Sequence, residues 1–72
     1  MDLKAQAEVM KWQAAFARGA AGLLSRAFVL APIAEHKIRI ANIQADLIQL
    51  AGYWELVAES YDKQANDDLA VV

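Results

Sequence analysis

The residues of this chain that are able to do acid–base or nucleophilic chemistry are few and scattered. His36 stands alone between Glu35 and Lys37, the serines are Ser25 and Ser60, and there is no cysteine. Nucleophilic catalysis needs a hydroxyl or thiol with a base held beside it, and neither serine is close in sequence to the histidine. A zinc or di-metal site on helices needs a Glu-x-x-His pair or two histidines one turn apart, and the sequence has neither. Gly19, Gly22 and Gly52 match no phosphate-loop or dinucleotide spacing. Glu55, Glu59 and Asp62 share one helical face, which makes them a solvated or ion-paired stripe and not the two facing carboxylates of a cleft. Tyr53, Trp54 and Tyr61 read as core and interface, and His36 as a partly buried histidine that closes the core near a turn. The expectation is a non-enzymatic protein with no catalytic residue, no cofactor and no metal.

The elements that carry these residues follow from periodicity. From Ile33 onward, Ile33, Ile40, Leu47, Trp54 and Tyr61 recur every seven residues, and Ile43, Leu50 and Val57 follow three residues after the middle members. Apolar residues at both core positions of a heptad predict a helix with a packed seam. Ile40, Ile43, Leu47, Leu50, Trp54 and Val57 are therefore the expected hairpin core. A second apolar line, Ile38, Ala41, Ala45, Ile48, Gly52 and Leu56, lies on roughly the opposite face. A helix that buries two faces needs two neighbours, and this chain supplies one.

That neighbour is the alanine-rich stretch from Leu3 to Leu30, with Asp2 placed to cap it. One apolar line reads Leu3, Ala7, Met10, Ala14, Ala17, Ala21, Leu24, Phe28, and a second reads Val9, Phe16, Leu23, Leu30. A thinner polar line holds Lys4, Glu8, Lys11, Arg18 and Ser25. Gly19 and Gly22 each cost about 1 kcal/mol of helix stability relative to alanine. With the nearby alanines they form a smooth patch suited to close backbone contact, or else a kink. Pro32 disfavours helix at Ala31 and suits the start of a new helix. The expected fold is all-α: an antiparallel hairpin of a helix over about 3–30 and a helix over about 33–65, with a turn near Pro32 and a frayed tail at 66–72. Across it, Trp12 and Phe16 are expected to meet Trp54 and Val57, Lys4 and Lys11 to approach Glu55, Glu59 and Asp62, and Arg18 to approach Asp46.

Composition points to assembly. Seventy-two residues with 58% hydrophobic content and no disulfide make more apolar surface than two helices hide, and a chain of this length buries only about 60% of its unfolded surface. The net charge of −2 conceals a basic first half and an acidic second half. That polarity fits antiparallel or head-to-tail pairing better than nucleic-acid binding. The least polar run, Gly19 to Ala34, is broken by Ser25, Arg26 and Pro32 and falls short of the roughly 20 clean residues of a membrane span. The opening is amphipathic and has no secretory-signal pattern, so a cytoplasmic location, or one inside an assembled particle, is expected.

These features predict a helical-bundle oligomer that works by association: an assembly subunit, adaptor or inhibitor of the kind found among phage and secretion-system accessory proteins. The expected contact residues are Gly19, Gly22, Phe28, Leu30, Ile38, Ala41, Ala45, Ile48, Gly52 and Leu56, and the expected partner is a second copy, another protein, or both. The alternative is a membrane-peripheral protein whose apolar turn, Ala27 to Ile33, dips into an anionic surface behind a collar of Arg26, Lys37 and Arg39. The tail from Gln64 to Val72, with Ala65-Asn66-Asp67 and a small apolar end, resembles the bacterial peptide tag that marks stalled products for proteolysis.

Overall fold

The computed structural model describes residues 2–71, with side chains described through residue 67. Two helices make up the fold: α1, Leu3–Leu30, and α2, Ala34–Val71. Asp2 sits in extended conformation before α1, and its side chain accepts a hydrogen bond from the Ala5 N–H at 2.7 Å. This satisfies one of the donors that a helix start leaves without an intrahelical acceptor. α1 is unbroken through Gly19 and Gly22. It stops where proline chemistry requires. Ala31, which precedes Pro32, is extended, and its N–H closes the last turn by donating to the Ala27 carbonyl at 3.0 Å. α2 begins just beyond, with the Ile33 carbonyl accepting from the N–H groups of both His36 and Lys37 at 3.1 Å.

Small residues line the seam between the helices. Ala7, Ala14, Ala17 and Ala21 of α1 and Ala51 and Ala58 of α2 are the buried hydrophobics among the described residues. Ala14, Ala17 and Ala51 form one cluster, against which Leu47 and Trp54 pack. Of the expected first line, Ile40, Leu47, Trp54 and Tyr61 are at least half-buried on α2, whereas Ile33 precedes the helix and is exposed. The companion positions of that line differ. The residues that complete the seam are Gln44, Ala51, Ala58 and Ala65, each four residues after a first-line member. Ile43 and Leu50, three residues after, lie on the flank at 51% and 40% exposure, with Val57 half-buried. The physical reason is volume. Alanines repeated on both helices let the backbones approach closely, and branched side chains are displaced to the sides of so narrow a seam.

Trp12 and Phe16 do not meet Trp54 and Val57. They stand on the side of α1 turned away from α2, together with Leu23. His36 is exposed on the first turn of α2, beyond the reach of the alanine seam.

The hairpin is long and thin, 60 × 14 × 13 Å, with a radius of gyration of 16.8 Å. A compact domain of this length would have a radius near 11 Å. α2 has 38 residues against 28 in α1, so its last turns project past the start of α1. Backbone helix continues through residues 66–71, expected as tail. The apolar end on which the degradation-tag resemblance rests falls among side chains outside the described residues.

Candidate interaction surfaces

The turn is fastened by one side chain. α1 carries no basic residue in its last turn, so its terminal carbonyls lack a cation on their own helix. Lys37 of α2 supplies it. Its Nζ donates to the Phe28 carbonyl at 2.6 Å and lies 4.8 Å from the centre of the Phe28 ring. One ammonium thus meets an orphan carbonyl, the negative end of the helix dipole and an aromatic face. Beyond this clasp Val29, Leu30 and Ile33 form an exposed apolar tip.

A polar edge runs along one side of the hairpin. Arg18 makes a bidentate pair with Glu55: Nε donates to Oε2 at 3.0 Å and Nη2 to Oε1. Arg18 reaches Glu55 and not Asp46, because the two acids are nine residues apart, on opposite flanks of α2, and Glu55 is the one on the edge that Arg18 shares. Lys11 Nζ lies 3.0 Å from Asp62 Oδ2. The hydrogen bond from Arg18 holds the Glu55 carboxyl below its ordinary range, and the bonds to Glu55 and Asp62 raise Arg18 and Lys11 respectively. The side chains are about half-exposed, and pairs of this kind fix register and orientation more than they stabilise.

Further toward the turn on the same edge, the Gln44 amide donates to the Ala21 carbonyl at 2.8 Å and to Ser25 Oγ at 2.6 Å. Gln44 is a polar residue at a seam position, and it ties the helices by filling that position with hydrogen bonds. By contrast, the buried Oε1 of Gln13 has no hydrogen-bond partner.

The apolar surfaces are larger than these polar features. On α1 the outer face carries Trp12, Phe16, Leu23 and Leu30 at 62%, 77%, 67% and 80% exposure. On α2 the line of Ile38, Ala41, Ala45, Ile48, Gly52 and Leu56 is also open: Ile38, Ala45, Ile48 and Leu56 are exposed, and Ala41 and Gly52 are half-buried. Phe28 and Leu30 are exposed at the turn. A side chain placed at Gly19, Gly22 or Gly52 would meet nothing within 4 Å, so none of these glycines is required by packing inside the hairpin. Trp12, Phe16 and Leu23 were not among the expected contact residues. The signal for them was the second line of α1, with Phe16 and Leu23 seven residues apart.

The total accessible surface is 5417 Å², against about 4,400 Å² for a typical folded monomer of this mass. Among the described residues no helix is long and apolar enough to cross a membrane, and no three His, Asp or Glu side chains gather as a metal site would need. Comparison of the chain with protein-family models, with curated proteins and with solved structures found no match.

Proposed function

We propose that this protein is a non-enzymatic assembly module: a helical hairpin that associates with copies of itself, and through the same apolar faces with a protein partner. The observation that carries the reading is the size distribution of its surface. The seam buries alanines, while Trp12, Phe16, Leu23, Ile38, Ile48 and Leu56 face outward. Large apolar side chains exposed together on a helix face mark interaction sites. A buried alanine methyl contributes about 0.8 kcal/mol, against roughly 1.5–3 kcal/mol for a large apolar side chain. The outer faces hold large apolar side chains that the hairpin leaves uncovered, beside a seam in which only alanines are fully buried and Leu47 and Trp54 partly so. The line from Ile38 to Leu56 serves as one contact between chains, with Gly52 letting a second backbone come near.

Absolute mass by light scattering in dilute, detergent-free buffer tests the reading. The expected mass is an integer multiple of 7.9 kDa, reduced in Gly52→Leu with helicity retained. A cooperatively unfolding monomer at micromolar concentration contradicts it.

A second reading rests on the exposed tip of Val29, Leu30 and Ile33 with Arg26 and Arg39 nearby. There the hairpin is membrane-peripheral and the tip enters an anionic surface. Co-sedimentation with anionic vesicles, lost in Leu30→Glu, distinguishes it.

A further inference from the structure

The outer face of α1 is itself a heptad seam. Val9, Phe16, Leu23 and Leu30 recur at sevens, and Ala5, Trp12, Gly19 and Arg26 recur at sevens between them. Alternating steps of three and four residues are the pattern by which one helix receives another. Trp12, Phe16, Leu23 and Leu30 are exposed, so α2 does not use it.

Laid antiparallel against a copy of itself in the register of fullest overlap, each member of the first set meets a member of the second. Phe16 falls over Gly19, Leu23 over Trp12, Leu30 over Ala5 and Val9 over Arg26, each pair occurring twice about a two-fold axis near Ala17 and Arg18. Large faces small in two of these layers, as close packing requires. The flanking positions Ala15, Ala20, Gly22 and Ala27 are small enough for the backbones to approach. In this pairing the Arg26 stem would cover Val9, with its guanidinium placed toward Glu8 of the other chain. A parallel pairing would instead set Phe16 against Phe16 and leave the two Gly19 positions facing across a gap.

Gly19 lies within this seam and, like Gly22 and Gly52, has open space beside it. It weakens α1, and nothing in the hairpin occupies the space its side chain would take. In the antiparallel pairing the Phe16 ring of the second chain would stand over that space. The area also agrees. The hairpin exposes about 1,000 Å² more than a typical monomer of its mass, and a standard interface buries about 800 Å² from each partner. We propose that α1 binds α1 of a second copy antiparallel through this seam, an inference that rests on the self-association reading above.

The chain has no cysteine, so Ala5→Cys and Leu30→Cys each carry one thiol. Mixed and mildly oxidised, they are expected to give the mixed disulfide at least tenfold over either like pair. Like pairs in equal or greater yield overturn the antiparallel arrangement. Phe16→Glu, whose side chain is largely free of the hairpin, is expected to weaken association at least a hundredfold with helicity retained. Gly19→Leu is expected to weaken it as well, and Phe16→Ala added to Gly19→Leu to restore it by moving the large side chain across the same layer. If the wild type self-associates while Phe16→Glu and Gly19→Leu keep its mass, this seam is overturned and self-association stands. A monomeric wild type overturns both.

Discussion

The two sides of α1 differ in which residues they hide, although Leu3, Met10 and Leu24 stand half-buried among the alanines of the inner side. The side toward α2 presents Ala7, Ala14, Ala17 and Ala21, all buried, and the side away from it presents Trp12, Phe16, Leu23 and Leu30, all exposed. In an isolated domain the volumes would be reversed, because large apolar side chains gain most from burial. The difference separates two jobs. The alanine side sets distance and register, since small residues repeated at sevens allow a close approach and tolerate few others. The large side carries apolar surface that the hairpin does not cover.

That contrast is open to attack from its strongest point downward. Ala51 is fully buried in the cluster with Ala14 and Ala17, so Ala51→Leu forces the helices apart. Overpacking of this kind typically costs 1–3 kcal/mol, a large share of the stability of a small domain. The expected outcome is a marked fall in the urea midpoint by circular dichroism. An unchanged midpoint would mean that the alanine seam is not what sets the helix spacing. Gln44→Ala comes next. It removes the hydrogen bonds to the Ala21 carbonyl and Ser25, and about 0.5–1.5 kcal/mol of stability is expected to go with them. If Gln44→Ala is neutral while Ser25→Ala is not, the amide is not the tie between the helices.

The smallest effect belongs to the ion-paired edge. Glu55 titrates below its ordinary value of 4.5 because Arg18 donates to it. A carboxylate with a depressed folded-state value contributes stability above the unfolded-state value and loses it as pH falls through the folded one. Wild type is therefore expected to exceed Glu55→Gln slightly in urea midpoint at neutral pH. The margin shrinks below about pH 4.5 and closes at high salt, where exposed pairs are screened. A margin that persists in acid and in 1 M salt would assign Glu55 a role in packing instead of pairing. Lys11 has the opposite sign. Its raised value keeps its contribution in place below its ordinary value and releases it only as pH rises through the higher folded one.

Much of this architecture was legible in the chain. Asp2 and Pro32 marked where the first helix starts and where the turn falls, because capping and the restriction before proline are local effects. Charge polarity favoured Lys11 with the acidic end of α2, but of the two apolar lines on α1 the pattern did not say which faces inward: Phe16, on the second, was expected to meet Val57 and stands outside. What the pattern got wrong was which stripe of α2 completes the seam: Ile43 and Leu50 were expected there, and Ala51 and Ala58 fill it. Ile43 and Leu50 are more hydrophobic than Ala51 and Ala58, and hydropathy alone ranks them as core. Hydropathy reports what gains from leaving water, whereas a narrow antiparallel seam selects for what fits.

The sequence by itself determined the helices, the turn and the excess of apolar surface, since each follows from local propensity or from composition. Only the tertiary structure decided that alanines would occupy the seam, that Trp12 and Phe16 would face outward, that Arg18 would find Glu55 and that Lys37 would close over Phe28. These depend on the rotation of each helix about its axis and on the register between them. Close contact between two surfaces fixes both quantities, and neither is a property of either helix alone.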